Sequence, residues 1–404
     1  MLMSKKKIIQ AMTVDLSLRF FLGMYNQLAN DYEVVYVGSK TNEGEAYKLP
    51  KGARFIDLYM ERHISLWQDL KSLINLIRLF RKEKPYMVHS ITPKAGLLCM
   101  MAAKVCGVPI RVHTFTGLIW PTAVGLKKKI LMLTDRITCF CATHIIPEGE
   151  GVRNDLLNNG ITHKPIKVLG YGNISGIDMV RFSRRPEVVA KAEKLSDKNC
   201  FTFLFVGRIV GDKGINELIE AFTRLQSKYK NVRLWLIGWF EDNLNPISDT
   251  TRRIINENDG IVTLYEKFDD ELLAYYAASD CYVFPSYREG FPNTVLEAGA
   301  LGLPSIVTDI NGSREIITDK RNYDPNATSS PDNDCLSDET MKIHDNGIVI
   351  PSKNVDDLFR AMELMYNNEA LRKKMASNAR DMIESRFERN FVNKCLLDFY
   401  KTLL

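Results

Sequence analysis

Short apolar runs alternate along this chain with longer segments whose apolar positions recur every three or four residues, the pattern of strands separated by amphipathic helices. In the first half the runs predict strands at Lys7–Met12, Glu33–Val37, Arg54–Asp57, Met87–Ile91, Ile110–Phe115 and His144–Pro147. A second set begins at Phe201 and continues through Val232–Gly238, Ile261–Tyr265, Cys281–Pro285, Ser305–Thr308 and Gly347–Ile350. Helical patterns include Ile215–Leu225, Asn293–Leu301, Leu371–Arg386 and Asn390–Leu404. Strands separated by helices need crossover connections, so both sheets are expected to be parallel and doubly wound, an α/β class. A chain of 404 residues is long for one core, and two domains of about 180 to 200 residues each are expected. The glycine-rich Leu169–Asp178 has the composition of a hinge and puts the boundary near residue 178.

Candidate chemistry gathers in the second half. Glu289 and Glu297 bracket a Gly-Phe-Pro turn directly after the predicted strand Cys281–Pro285. The first carboxylate falls in a loop whose backbone N–H groups can meet polar ligand atoms, and the second about two turns along the next helix. A carboxylate accepts both hydroxyls of a diol, so this pair suits a hexose and a ribose; the alternative is a strand, a turn and a helix with two solvated acids. Upstream, the strand from Phe201 ends in Gly207-Arg208, followed by Asp212-Lys213-Gly214. Ligands of open α/β sheets bind at the carboxyl ends of the strands, and a guanidinium with a nearby ammonium there suits a diphosphate gaining charge as its sugar departs.

Taken together, Val206-Gly207-Arg208, Asp212-Lys213-Gly214, Pro285-Ser286, Glu289-Gly290-Phe291-Pro292, Glu297-Ala298 and Gly302-Leu303-Pro304 resemble glycosyltransferase family 4, whose fold is GT-B. His89–Gly96 and Gly107–Gly117 are similar to bacterial members that extend undecaprenyl-diphosphate-linked saccharides. The resemblance implies two Rossmann-like doubly wound domains facing a cleft: residues 1–178 for the acceptor, 179–383 for the nucleotide sugar, and a terminal helix over 384–404 that crosses back to the first domain. It implies a retaining transferase that moves a hexose or N-acetylhexosamine from a UDP-sugar. The donor would be held by Gly207, Arg208, Lys213, Phe268, Glu289, Gly290, Phe291, Asn293, Thr294 and Glu297, with uracil near Lys267-Phe268. Arg208, Lys213, Glu289 and His113 would carry catalysis, the last as a strand-end histidine beside the reacting sugar. Acceptor contacts would come from Thr13, Ser17, Arg19, His89, Lys94 and His113. Lys94 opens a helix after a strand, where it either binds the acceptor diphosphate or is simply solvated. Two other classes fit the same architecture, a UDP-sugar 2-epimerase and a non-catalytic scaffold.

Charge and composition refine this picture. Residues 1–180 hold 24 Lys+Arg against 14 Asp+Glu, and residues 181–404 hold 30 against 35, so the positive field belongs to the first half. That suits an anionic diphospho-lipid and the surface carrying it. Lys127-Lys128-Lys129, set among apolar residues, is either a membrane contact or the exposed side of a helix. Nucleic acid is not expected, for want of zinc-finger spacing, an RNP-like aromatic run or a basic zipper. No apolar run is long enough to span a bilayer and no signal-peptide core follows Lys5-Lys6-Lys7, so the expected location is the cytoplasm, peripherally on the inner membrane. Eight scattered cysteines read as reduced core residues. No metal or other cofactor is expected. Thr318–Asp345 departs from the family as a long polar insertion, expected to be a mobile loop. Its Asp332-Asn-Asp334 mimics a metal-binding Asp-x-Asp, but no strand precedes it. The first loop also departs, having Thr13-Val14-Asp15-Leu16-Ser17 where many members have a glycine pair.

Overall fold

The computed structural model describes residues 5–41, 49–61, 63, 65–242, 245–265, 269–324 and 336–404. Its contacts divide the chain into two units, Met1–Gly176 with Arg389–Leu404, and Ile177–Glu388. The first unit is built on β1 (Lys6–Val14), β2 (Tyr32–Ser39), β3 (Arg54–Asp57), β4 (Met87–Ile91), β5 (Ile110–Phe115) and β6 (His144–Pro147). They lie in the order β3-β2-β1-β4-β5-β6, every neighbouring pair parallel. Side chains of a strand alternate between faces, and here both faces are apolar. Ile9 and Ala11 of β1 and Val35 and Val37 of β2 enter one core, whereas Ile8, Met12, Val34 and Tyr36 enter the other. Continuous apolar strands are what a sheet covered by helices on both sides requires.

The second unit holds β7 (Phe201–Val206), β8 (Val232–Ile237), β9 (Ile261–Leu264), β10 (Cys281–Phe284), β11 (Ser305–Thr308), β12 (Lys342–His344) and β13 (Gly347–Ile350), in the order β12-β13-β11-β10-β7-β8-β9. All neighbours are parallel except β12, which runs antiparallel to β13. After β7 the chain builds outward through β8 and β9, then returns to place β10 on the other side of β7. The carboxyl ends of β7 and β10 thus flank the point where strand order reverses, the place where doubly wound sheets take their ligands.

Two sequence expectations change. Part of the insertion is ordered: β12 lies within it, Asp319 accepts from the Asp345 N–H at 3.2 Å, and Asp345 accepts from the Lys320 N–H at 2.9 Å. Asp332-Asn-Asp334 lies outside the described residues. The glycine-rich segment is bonded within each unit on either side of the boundary. Asn173 donates its N–H to Glu148 O at 2.8 Å in the first unit, and Ile177 donates to Phe387 O at 2.7 Å in the second.

Buried polar groups fix the last helix of the first unit, Arg389–Leu403. The Tyr400 hydroxyl meets His89 Nδ1 and accepts from Gln10 at 3.3 Å, while His89 Nε2 meets the Thr114 hydroxyl at 2.7 Å. Burial, which disfavours the charged ring, holds both His89 and His113 down to about 3 from an ordinary value of 6.5. The unfolded chain therefore binds protons between these limits that the fold refuses. The stability involved is fully present above pH 6.5 and is lost as pH falls towards 3. Denaturant titrations are expected to show stability dropping by about 1 kcal/mol per histidine between pH 6 and pH 5. His89→Gln should lessen that slope, and an unchanged slope would contradict the assignment.

Candidate functional site

In the second unit two loops meet at the strand reversal, and glycine lets them do so. Gly214, which follows the turn Gly211–Lys213, has φ +72°, and a Cβ on it would lie 2.1 Å from Pro285 O in the loop after β10. Gly238 at the end of β8 has φ +153°, and a Cβ there would lie 1.8 Å from Gly207 O. Only glycine tolerates such backbone approach. The loops are then stitched by Asp212: its carbonyl accepts from the Tyr287 N–H at 2.9 Å, and its carboxylate accepts from Arg288 at 2.8 Å.

Lys213 pairs with Glu289 across this seam, both side chains mostly buried, and the Ser286 hydroxyl donates to the same Glu289 oxygen at 2.9 Å. Arg208, on the loop after β7, is over a third exposed and pairs with Glu241 beyond β8. Glu297 lies on the helix Asn293–Ala300 and accepts from the Tyr276 hydroxyl at 3.1 Å. Burial first, and the charge of Glu297 next, push the Tyr276 phenol well above its ordinary value, so it stays a donor. Behind it the Tyr282 hydroxyl donates to Val206 O at 3.2 Å, tying the floor of the site to the end of β7. The Thr294 carbonyl lies 3.5 Å from the Tyr276 hydroxyl. Gly290 and Phe291 lie against the backbone of Gly312, and the Phe291 ring packs on Phe387 with centroids 5.3 Å apart, so only its backbone is placed to meet a ligand. Asn293 opens the helix. Phe268 and Lys267 lie outside the described residues. The structure thus brings Gly207, Arg208, Lys213, Glu289 and Glu297 to one end of one sheet.

Of the acceptor candidates in the first unit, Thr13 lies at the carboxyl end of β1 and Lys94 follows β4, where that sheet reverses its order. The Thr13 hydroxyl bonds that of Thr92 at 2.7 Å, and Lys94 is held by the Asp69 carboxylate at 2.6 Å. Ser17 sits in the turn Asp15–Leu18, and Arg19 is exposed beside Phe20. His89, expected among the acceptor contacts, lies mid-strand, without solvent exposure, inside the Tyr400 network. His113 is also inside its strand rather than at the end, 1% exposed, with Ser90 O 3.1 Å from Nδ1. The Ser90 hydroxyl lies 2.9 Å from the same nitrogen, so Ser90 engages Nδ1 of a neutral ring through both its oxygens. Gly96 makes room for it, since a Cβ there would lie 2.3 Å from the ring.

Sequence reasoning missed Glu241 and Tyr276, which reach the site from other elements and carry no local motif. Ser286 was visible beside Pro285, three residues from Glu289, but its bond to Glu289 was not.

Two family models match consecutive parts of the chain: "Glycosyl transferase 4-like domain" over residues 19–172 and "Glycosyl transferases group 1" over 189–382. The capsular polysaccharide biosynthesis glycosyltransferase CapM of Staphylococcus aureus is 32% identical over all of this chain and 98% of its own length. The UDP-Gal:alpha-D-GlcNAc-diphosphoundecaprenol alpha-1,3-galactosyltransferase of Escherichia coli is 28% identical over 72% of this chain and 75% of its own. The chain belongs to the family 4-like glycosyltransferases of GT-B fold. Among solved structures, Anabaena HepE in complex with UDP superposes with a TM-score of 0.73 at 15% identity, over 98% of this chain and all of HepE. That likeness speaks for the fold.

Gly214→Ala is expected to destabilise the second unit by about 2 to 4 kcal/mol, because both its backbone angle and the Pro285 carbonyl oppose a side chain. Calorimetric unfolding checks this, and an unchanged melting temperature would mean that the loops are not in contact as described.

Proposed function

We propose that this glycosyltransferase moves a hexose or N-acetylhexosamine from a UDP-sugar to a lipid-linked, undecaprenyl-diphosphate saccharide with retention of configuration, in the assembly of a cell-surface polysaccharide. The observation that carries the reading is the cation pair of Arg208 and Lys213 with the carboxylates Glu289 and Glu297 at the strand reversal of one sheet. Relatives support it by their names. One is the galactosyltransferase above, and another is the N,N'-diacetylbacillosaminyl-diphospho-undecaprenol alpha-1,3-N-acetylgalactosaminyltransferase of Campylobacter jejuni, 24% identical over 83% of this chain.

In this reading Arg208 and Lys213 take up the charge that grows on the leaving diphosphate as the anomeric bond stretches. Glu297 accepts the ribose hydroxyls with its carboxylate oriented by Tyr276, and Glu289 accepts sugar hydroxyls while keeping Lys213 in place. The departing phosphate deprotonates the incoming acceptor hydroxyl on the same face, so no separate protein base is assigned, and the two cations serve where other transferases use a metal. Backbone N–H groups of Phe291, Asn293 and Thr294 complete the donor pocket. Neutral His113 offers Nε2 to a sugar hydroxyl, and Lys94 offers its ammonium to the acceptor diphosphate by exchanging it from Asp69. The enzyme works at the cytoplasmic face of the membrane that carries its acceptor; among the described residues no helix is long and apolar enough to cross one.

Transfer of labelled sugar from a UDP-sugar panel to a short-chain undecaprenyl-diphosphate saccharide tests the reading. Arg208→Ala should lower turnover by at least about a hundredfold, the size of one transition-state charge contact, and the product should keep the donor's anomeric configuration by NMR. Turnover unchanged in Arg208→Ala, or an inverted product, would refute it.

A further inference from the structure

The loop after β8 carries Glu241 and is fastened to the loop after β7 on either side of that residue. Ile209 donates its N–H to Trp239 O at 2.8 Å, and Gly211 donates to Asn245 O at 2.9 Å. Ile209, 1% exposed, also forms a parallel bridge with Phe240. The Phe240 ring is gripped in turn, with the Arg252 guanidinium 3.7 Å from its centroid and the Tyr265 ring centroid 6.2 Å away. Arg252 is itself paired with Asp242. The Glu241 carboxylate therefore reaches Arg208 from a segment whose place against the end of β7 is already fixed.

Arg208 has a fixed backbone and a loose side chain. Its guanidinium is 37% exposed, and a long side chain in that position loses much rotamer freedom when a ligand orders it. Among the described residues Glu241 takes one terminal nitrogen of Arg208, and the other two nitrogens have no protein acceptor. A guanidinium is a planar fork, so holding one nitrogen also sets the direction of the others. The same carboxylate places a negative charge beside the cation, which opposes the approach of a second anion. A contact of this kind gives orientation rather than affinity. Orientation that exists before the reaction is what makes a charged group effective where charge develops.

We propose that Glu241 is a positioning residue for Arg208: it holds the guanidinium at the strand reversal with its remaining N–H donors open to the leaving diphosphate. Glu241 acts through Arg208 and does not itself touch the substrate. The inference deepens the donor reading and rests on it, and the Arg208→Ala arm of its test separates the failure of one from the failure of the other.

Turnover is measured for the full chain with the UDP-sugar and short-chain undecaprenyl-diphosphate saccharide of the transfer assay, and the Kd of UDP by calorimetry. Glu241→Ala should lower kcat about tenfold, the scale of a displaced charge contact, while UDP binds no more weakly than to the native protein, because a repelling charge has gone. Glu241→Gln keeps an oxygen acceptor at the same reach and should restore kcat close to the native value. In the Arg208→Ala background Glu241→Ala should cause no further loss, since a residue that acts through another has no effect without it. Asp242→Ala, which removes the neighbouring and more exposed carboxylate, should leave kcat native. Native kcat in Glu241→Ala, a further tenfold loss in the Arg208→Ala background, or the same loss in Asp242→Ala overturns the proposal. So does UDP binding in Glu241→Ala that weakens as much as kcat falls, which would make Glu241 a structural prop of the whole site. Turnover unchanged in Arg208→Ala removes the donor reading, and this inference with it.

Discussion

The seam between the loops after β7 and β10 is the constraint on which the site depends. A parallel sheet whose order reverses there leaves a crevice but supplies nothing to hold its walls in register. The Lys213–Glu289 pair and the bonds of Asp212 to Tyr287 and Arg288 do that, and each works only because Gly214 lets one loop touch the other. Partial burial reduces the screening of the pair, and a hydrogen bond to a charged group contributes about 1.5 to 3 kcal/mol. The same contacts that stabilise the fold therefore fix the place of a cation and a carboxylate at the strand reversal.

The first unit shows the opposite use of polar groups. His89, Gln10, Thr114 and Tyr400 are buried and bonded to one another, and they serve to register the terminal helix on the sheet. Burial keeps His89 neutral, which is the state in which one ring can both donate and accept. His113, on the neighbouring strand, is neutral for the same reason and is fixed by Ser90. A histidine that reads as chemistry in a motif can thus be architecture in the fold, and only its register within the strand tells the two apart.

Much of the fold was legible because a buried parallel strand is a continuous apolar run. Arg54–Asp57, Met87–Ile91, Ile110–Phe115, His144–Pro147, Ser305–Thr308 and Gly347–Ile350 have the bounds their composition predicts. β12 was not, since Lys342–His344 is a short polar edge strand defined by its partner rather than by its own residues. In the site, residues within local motifs could be found: Arg208, Lys213 and Glu289 sit in loops whose Gly and Pro spacing announces them, and Glu297 on the helix that follows the last of these. Glu241 and Tyr276 could not, because each reaches the site by tertiary packing from another element.

The central claim is that the seam in the second unit binds a nucleoside diphosphate through Glu297 and the facing cations. Thermal unfolding with and without UDP, for the native protein and for Glu297→Ala, tests it most directly. A ligand at 100 times its Kd adds about 2.7 kcal/mol of stability, so the native protein should melt at a clearly higher temperature with UDP and the variant should not. Absence of stabilisation in the native protein, or an equal shift in both, would contradict the account.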